Sequence, residues 1–300
     1  MLTLLEWSKL QADPLTSGIV EIYSSVNPVL QVMPFENIAG AAYVYNREGT
    51  LPGIAFRGIN ESFTESTGII NPQTESLKIA GGESYYDTFL VATGNGSNDA
   101  RATHDAMKVK AMSLFWLKSY FDGSSTSDPR EFDGLNARLT GGQVIDAGSG
   151  GATLTLDMVD DLVDAVIGSP SAIFCNKTMA RKITKLAQST SQVTFTQDQL
   201  GRVLTVYAGI PLYVVEEDNA GNDILAFDED DGAGNLDTTS LYAVSFGPDR
   251  LHGIQNAPMS VRDLGELTSR PALATRVEWF SSMVAKHPKS AARLRYVNNA

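Results

Sequence analysis

The sequence predicts an α+β protein of 300 residues that folds as one large or two modest domains. Three observations lead to this prediction. Apolar residues recur at helical spacing over residues 97–121, which indicates a long helix. Strand-forming residues and turn signals alternate over residues 41–93. Residues 150–262 alternate helical and strand patterns in the way that is typical of an α/β unit.

Residues 1–44 are expected to form an N-terminal arm. Pro14 and the Asn27-Pro28 pair interrupt short apolar runs, and residues 19–23 between them predict a helix. Such a segment is too apolar to stay free in water and too broken to form a compact unit. The pattern is typical of an arm laid across a neighbouring surface. An ordinary pair of N-terminal helices packed on its own domain explains it equally well.

Residues 45–82 are predicted to form an extended hairpin loop. The β-prone residues 42–45 lead into it, a stretch rich in polar, glycine and proline residues follows, and residues 75–80 lead back. A hairpin this polar cannot bury much of itself, so it should project from the body and find partners elsewhere. Residues 85–93 are then predicted to form a buried strand.

The long helix is expected to begin at Ser97 or Asn98, either of which is a good N-cap, and to end at Asp122 before Gly123. About 23 residues give a rod of roughly 35 Å. The helix is apolar on two faces. One stripe consists of Met107, Ala111, Leu114, Leu117 and Phe121, and the other of Val109, Trp116 and Tyr120.

A helix with two apolar faces needs two partners, and a second copy of the chain is a candidate for one of them. We expect the stripe of Met107 to pack on the subunit's own sheet, and the stripe of Trp116 to lie under an arm or an extended loop. The loop that follows holds Pro129 and the buriable pair Phe132 and Leu135, but no nucleophile, base or metal cluster. The helix and this loop therefore indicate assembly rather than chemistry.

The C-terminal half is predicted to contain an α/β unit and a set of closing strands. A flexible glycine-rich boundary at residues 148–151 precedes the unit. Helices are expected from Thr153 or Thr155 to about Val166 and after Asn176, and the acidic stretch 216–237 is expected to be a loop. Strands are expected at residues 171–175, 203–207, 211–215, 241–246, 259–262, 274–284 and 291–297.

Composition excludes several classes of protein. With 23 Lys and Arg against 35 Asp and Glu, the formal net charge is −12. Such a surface repels phosphate, which argues against a dedicated DNA or RNA reader but not against a passive container. The lone Cys175 excludes an internal disulfide framework and is expected to be a small buried hydrophobe. The N-terminus lacks the features of a secretory signal, and no stretch is apolar enough to span a bilayer, so no membrane partner is expected.

No catalytic, cofactor or metal site is predicted. The histidines His104, His252 and His287 lack a second His or Cys at ligand spacing. The glycine-rich stretches lack the residues of a dinucleotide-binding or phosphate-binding loop.

The acidic loop at residues 228–232 fails the EF-hand register, because the first ligand position would fall on Phe227. A looser calcium site with Asp218, Asp223 or Asp237 stays open beside the simpler interpretation, a solvated acidic loop.

Six segments resemble those of one known family. They read PFENI at 34–38, YNRE at 45–48, TLPGIAFR at 50–57, PREFDGL at 129–135, VEW at 277–279 and PKSAA at 288–292. Together with the order of the elements, they resemble the major capsid proteins of tailed phages, the Hong Kong 97 fold. The resemblance implies an α+β phage major capsid fold whose parts follow in one order. These parts are an N-terminal arm at 1–44, an extended loop at 45–82, a peripheral domain with a long spine helix at 83–149, an inserted axial α/β domain at 150–265 and returning strands of the peripheral domain at 266–300.

The resemblance also implies a function. A protein of this family self-assembles as pentamers and hexamers into an icosahedral head that encloses double-stranded DNA. Beyond itself, the expected partners are a separate scaffolding protein, portal and decoration proteins, and packaged DNA held without sequence-specific binding. The expected location is the virion, after assembly in the host cytoplasm, and no enzymatic activity is expected. Candidate subunit-interface residues are Arg47, Arg57, Phe63, Trp116, Tyr120, Phe132, Asp133 and Leu135.

Two departures and two alternatives accompany the resemblance. Some relatives carry a scaffolding segment before the arm, which this chain is not expected to have. Others are cross-linked through a loop lysine, but Lys78 is the only lysine in this loop region and lies near its base, so cross-linking is not expected. The nearest alternative is an encapsulin-type nanocompartment shell of the same fold around an enzyme cargo. The alternative from another class is a soluble α/β enzyme or binding domain built on residues 150–262.

Overall fold

The computed structural model describes residues 27–93, 100–188, 193–197, 201 and 203–299. The predictions made for residues 1–26 and for a helix start at Ser97 or Asn98 lie outside the described residues. Within them, the α-helices are α1 Pro28–Val32, α2 Thr88–Thr93, α3 Ala100–Asp122, α4 Leu135–Arg138, α5 Leu156–Asp164 and α6 Lys177–Gln188. Short 3-10 helices lie at Gly141–Gln143 and Pro288–Ser290.

The described residues contain sixteen strands, which form two large sheets and one hairpin. Those of the N-terminal half are β1 Phe35–Asn37, β2 Ala42–Thr50, β3 Ile69–Ser76, β4 Lys78–Asp87, β5 Val144–Asp146 and β6 Ala152–Thr153. Those that follow are β7 Ala172–Cys175, β8 Val193–Gln197, β9 Val203–Tyr207, β10 Ile210–Val214, β11 Glu229–Asp230 and β12 Leu236–Val244. The last are β13 Leu251–Gln255, β14 Ser260–Glu266, β15 Ala272–Ala285 and β16 Ala291–Asn298.

The five-stranded sheet is built around β15, the longest strand. β4 pairs antiparallel along one side of β15, from Ala272 to Ser281. β14 and β13 pair along the other side, and β1 adds to β13. The predicted strand at residues 85–93 is wrong. Its first half belongs to β4, its second half is α2, and Tyr85 and Phe89 are exposed rather than buried.

The nine-stranded sheet has the order β5-β16-β12-β7-β10-β9-β8, with β6 and β11 at its margins. Its apolar residues on one side pack against α5 and α6 in a cluster that includes Cys175, Met179 and Ile183. Burial raises the pKa of the Cys175 thiol to about 12, which fits its predicted role as a buried hydrophobe.

The predicted bounds of the last two domains need correction. β13 and β14, which were assigned to the axial domain at 150–265, pair with β15 in the five-stranded sheet. β16, which was assigned to the returning strands at 266–300, pairs with β12 in the nine-stranded sheet. The turn at Pro288–Ser290 carries the chain from one sheet to the other. Strand patterns in a sequence predict a strand but do not name its partner, which is why these assignments failed.

The helix α3 lies between the two sheets. Trp116 faces the five-stranded sheet, where its Nε1 donates to Oγ of Ser281 at 3.1 Å and its ring lies 5.5 Å from that of Trp279. Phe121 faces the nine-stranded sheet, with its ring 5.1 Å from Tyr242 and 6.0 Å from Phe174. The prediction of two apolar faces therefore fits the structure, but both partners belong to the same chain.

The predicted orientation of α3 is wrong in part. Met107 is 59% exposed, whereas Trp116 is 1% exposed. Leu117 and Phe121, which belong to the same stripe as Met107, are buried. They lie near the C-terminal end of the helix, which the nine-stranded sheet covers. The ring of Phe35, from the predicted arm, lies 6.0 Å from Trp116, so the arm residues that cover this stripe belong to the same subunit.

Candidate assembly surfaces

The extended loop is an antiparallel hairpin of β2 and β3, with residues 51–68 forming its tip. Near its base, the Tyr45 hydroxyl donates to the carbonyl oxygen of Ala285 at 3.2 Å, and Nη2 of Arg47 donates to the same oxygen at 2.5 Å. The guanidinium of Arg138 forms two hydrogen bonds with the carboxylate of Glu75, at 2.5 and 2.9 Å. These contacts tie the hairpin to β15 and α4, so its base is fixed on the body.

Charge as well as geometry holds this anchor. The side chains of Arg138 and Glu75 are 13% and 19% exposed. Burial alone would lower the pKa of Arg138, but its hydrogen bond and charge pairing with Glu75 raise it overall. Nη2 of Arg138 also donates to the carbonyl oxygen of Met283 at 3.1 Å, and Nε donates to that of Asp133 at 2.6 Å. One guanidinium therefore joins the hairpin, β15 and the loop before α4.

The tip carries apolar side chains that contact little of their own subunit. Ile54, Phe56 and Ile59 are 95% exposed or more. Leu51 and Phe63 are about 70% exposed. The tip has local order, because Asn60 has a φ of 68° in a turn and the guanidinium of Arg57 lies 5.1 Å from the ring of Phe63. The predicted candidates Arg57 and Phe63 thus come together at an exposed apolar surface.

A groove follows the outer edge of β4. β4 pairs with β15 alone among the described strands, so its other edge is open. Two adjoining cavities of about 300 and 240 Å³ lie along this edge and share Ala80, Gly81 and Phe115 of α3. Ile79 and Phe115 are 76% and 42% exposed. We call this surface the β4 groove; it is bounded by Lys78–Gly82 of β4, by α3 from Lys108 to Ser119 and by the loop at 128–132.

Four of the predicted interface residues lie in the core of the subunit. Trp116, Tyr120, Phe132 and Leu135 are between 0 and 6% exposed. The rings of Phe132 and Tyr120 each lie 5.7 Å from that of Trp116. Their assignment to a subunit interface is therefore corrected: an apolar stripe predicts burial but does not say against which chain.

Two other candidates have roles within the subunit. The guanidinium of Arg47 donates a hydrogen bond to the carbonyl oxygen of Ala285. Asp133 is half-buried and its Oδ1 accepts from the backbone N–H of Ser125 at 2.7 Å. Burial tends to raise the pKa of Asp133, but the hydrogen bonds from Ser125 and the charge of Arg138 outweigh this effect and lower it.

The sequence prediction missed the strongest candidates, which are Leu51, Ile54, Phe56 and Ile59. A signal was present, because these residues are apolar within a stretch otherwise rich in turn and polar residues. Apolar residues in a projecting loop have no core to enter.

The described residues contain no group of three or more His, Cys, Asp or Glu side chains that could hold a metal ion. In the acidic loop, Oδ1 of Asp231 accepts from the backbone N–H groups of Ala233 and Asn235, so this carboxylate caps a turn. Oδ2 of Asp218 forms an ion pair with Nζ of Lys118 at 2.8 Å. No helix in the described part of the chain is long and apolar enough to cross a membrane.

Comparison with known proteins identifies the chain. A family model described as major capsid protein GP7 matches residues 12–157, and one described as SU10 major capsid protein matches residues 101–231. The chain is a tailed-phage major capsid protein. The major capsid protein families are structural, so the prediction of a non-enzymatic protein is confirmed.

Solved structures show the same fold at low sequence identity. This major capsid protein is similar to the holo-SrpI encapsulin complex from Synechococcus elongatus PCC 7942, at 15% identity and a TM-score of 0.69 over 92% of this chain and 90% of that one. The capsid of a native GTA particle matches at 12% identity and a TM-score of 0.66, over 92% and 90%. A chain of Mycobacterium phage Bobi matches at 14% identity and a TM-score of 0.63, over 89% of each chain. No curated protein matches this chain by sequence.

The solved structures confirm the predicted α+β capsid fold. Assembly of the protein with itself follows from the family models, which describe major capsid proteins. None of the matches described above carries the Hong Kong 97 name, and that label stays a prediction. The encapsulin alternative shares the fold, but both family models describe major capsid proteins.

Proposed function

We propose that copies of this chain assemble as pentamers and hexamers into an icosahedral phage head that encloses double-stranded DNA. The exposed apolar tip of the extended loop supports this most directly, because Ile54, Phe56 and Ile59 have almost no contacts in the single subunit. Soluble monomers rarely expose contiguous apolar patches of this kind, whereas subunit interfaces bury them. The hairpin is fixed at its base, so the tip is presented at a defined distance from the body.

The surface that receives the tip is proposed to be the β4 groove of a neighbouring copy. The groove offers exposed Ile79 and Phe115 beside an open strand edge. An extended segment can add to such an edge through its main chain while alternate side chains enter the groove. Residues 51–57 suit this role, because they lie outside the strands of the hairpin and place Ile54 and Phe56 two residues apart.

The tip does not lie in the groove of its own subunit, since none of residues 51–68 lines it. β3 returns from the tip to Ser76, and β4 begins two residues later at Lys78. Eight residues of strand at about 3.3 Å each place the tip roughly 25 Å from the start of β4. The two exposed surfaces therefore complement each other only between copies, which is the property that a shell needs.

Cross-linking tests this pairing between copies. Subunits with Phe56→Cys are mixed with subunits that carry Ile79→Cys, and the mixture is assembled and treated with a short bismaleimide. We expect dimers on a denaturing gel only after assembly. As a matched control, Phe56→Cys is mixed with Phe195→Cys, since Phe195 is also exposed but lies on β8 at the far edge of the other sheet. Equal yields from both mixtures would contradict the proposed pairing.

The wider setting of the shell is part of the same proposal. A net charge of −12 suits containment of DNA without a tight grip, with counterions neutralising the phosphates. A separate scaffolding protein, a portal and decoration proteins are the proposed partners, and assembly is proposed to take place in the host cytoplasm before the protein reaches the virion.

Images and contents of native particles test the function itself. We expect negative-stain micrographs of the expressed protein to show closed shells, and particles recovered from infected cells to contain double-stranded DNA. A protein cargo in place of nucleic acid would favour the encapsulin alternative. Sedimentation as a monomer under every assembly condition, including with the scaffolding protein, would overturn both.

A further inference from the structure

Two helices on the nine-stranded sheet carry opposite charges on their outer faces. Helix α5 contains no basic residue, and its exposed acidic residues are Asp157, Asp160, Asp161 and Asp164. Helix α6 contains no acidic residue, and its exposed basic residues are Lys177, Arg181 and Lys185. We call these two sets the acidic stripe and the basic stripe.

Both stripes point away from the core of the subunit. Val159 and Leu162 of α5 are fully buried against the sheet, as are Met179 and Ile183 of α6. Members of each stripe are three or four positions apart, so at 3.6 residues per turn each stripe lies within an arc of about 100°. This arc is opposite the buried side chains of the same helix. The charged faces are therefore available to another molecule along the whole length of both helices.

The stripes are unfavourable in a single subunit. Like charges four positions apart on one helix repel each other. Asp164 is the last residue of α5 and Lys177 is the first of α6, where each opposes the helix dipole. Among the described residues, no member of either stripe forms an ion pair. Asp160 accepts a hydrogen bond from the hydroxyl of Tyr207 at 2.7 Å. A facing stripe of opposite charge would offset this repulsion.

The stripes lie toward opposite ends of one face of the sheet. α5 contacts β12 and β16, and α6 contacts β8, β9 and β10. β7 separates these two groups of strands in the sheet order. Both helices bury side chains in the same cluster, so they cover the same face. Each copy of the chain therefore carries an acidic half and a basic half on this face.

We propose that neighbouring copies in a ring pair head to tail, with the acidic stripe of one copy against the basic stripe of the next. This inference rests on the proposed assembly into pentamers and hexamers and specifies which surfaces meet within each ring. Identical stripes repel, so the contact has one direction, and a contact of this kind closes into a ring when it is repeated by rotation. Charge complementarity fixes orientation and speeds association. DNA is disfavoured as the occupant, because the acidic stripe lies beside the basic one and the net charge of the chain is −12.

Reversal of charge tests the pairing. One variant reverses the acidic stripe with Asp157→Lys, Asp161→Lys and Asp164→Lys. A second variant reverses the basic stripe with Lys177→Glu, Arg181→Glu and Lys185→Glu. Asp160 is retained because it bonds Tyr207. Each variant alone should raise the subunit concentration needed for rings at least 30-fold at low salt, because the stripes that meet then have like charge.

A chain that carries all six substitutions is the matched control. Its stripes are again complementary, so it should form rings at close to the concentration that the native chain needs. A general effect of the substitutions on folding would instead be worst in this chain. Rings from either single variant at the native concentration, or no recovery in the chain with six substitutions, would overturn the proposal.

An equal mixture of the two single variants tests the direction of the contact. Contacts between the two variants are complementary and contacts between like copies are not, so the variants must alternate around a ring. Six copies can alternate and five cannot. Native mass spectrometry should therefore show recovery of six-membered rings without five-membered ones. Recovery of both to the same extent would overturn the head-to-tail pairing.

The variant with the reversed basic stripe also tests DNA as the occupant. Intact rings whose shells contain less DNA would assign the basic stripe to DNA and overturn the pairing between copies. In each of these overturning outcomes the native chain still forms shells, so the proposed function stands. A native chain that forms no shells would overturn the proposed function and this inference with it.

Discussion

The spine helix α3 and the tip of the extended loop both contain large apolar side chains, but only those of the helix are buried in the subunit. Trp116 is 1% exposed between two sheets, whereas Phe56 is fully exposed. The first arrangement stabilises a subunit before it meets another. The second leaves apolar area whose burial is available only to the assembly. The difference separates the part of this chain that folds from the part that assembles.

The largest expected effect comes from removing the side chain at the centre of the buried region. Trp116→Ala should lower the free energy of unfolding of the unassembled subunit by about 3–5 kcal/mol, because the ring fills a space between Trp279, Phe35 and Phe132. Urea unfolding of the unassembled subunit measures this change in the free energy of unfolding. Met107→Ala on the exposed part of the same helix is the control, with an expected change within about 0.5 kcal/mol. Similar losses from both variants would show that the two faces of α3 are not distinguished in this way.

The anchor at the base of the loop lies between the two regions, and breaking it should free the hairpin without unfolding the body. Glu75→Gln leaves the guanidinium of Arg138 without its charged partner and should cost about 2 kcal/mol locally. The rate of hydrogen exchange at the backbone amides of β2 and β3 should therefore rise about 30-fold, while the rate in β15 stays unchanged. Glu65→Gln at the exposed tip should alter neither. Faster exchange throughout the subunit would mean that the hairpin and the body unfold together.

A substitution at the tip should act on assembly alone. Burial of the Phe56 side chain between two copies is expected to stabilise each contact by about 2 kcal/mol, and Phe56→Ser removes this apolar area. The subunit concentration needed for shells should rise about 30-fold, with the urea midpoint of the unassembled subunit unchanged. Sedimentation over a dilution series gives the first quantity. Thr64→Ser at the same tip serves as the control, and an equal effect from it, or no effect from Phe56→Ser, would remove the tip from the interface.

The sequence allowed the elements to be predicted better than their partners. The helix at 97–121 and the hairpin at 45–82 were predicted, because helical spacing and turn residues are local signals. Trp116 and Leu135 were assigned to an interface, since an apolar stripe looks the same whether it faces a sheet of its own chain or another copy. Pairing of β16 with β12 depends on residues about fifty positions apart in the chain, which no local pattern encodes.

The smallest expected effect concerns Asp122, at the C-terminal end of α3 where the helix meets the nine-stranded sheet. Burial, and after it the charge of Glu229, raises the pKa of Asp122 to about 6. An acid with a raised pKa in the folded state binds its proton there more tightly than in the unfolded chain, so it lowers stability as pH rises from about 4 to 6. Asp122→Asn should remove this loss.

The variant should therefore be more stable than the native chain at pH 7.5 and equal to it at pH 4 or below. The gain should be about 1 kcal/mol or less, because the carboxylate is partly exposed and solvent screens it. Asn136, whose Nδ2 donates to Oδ1 of Asp122 at 2.6 Å, keeps an oxygen acceptor in the variant. Asp237→Asn, at the exposed start of β12, is the control. A gain that is the same at both pH values would show that the charge of the Asp122 carboxylate is not its cause.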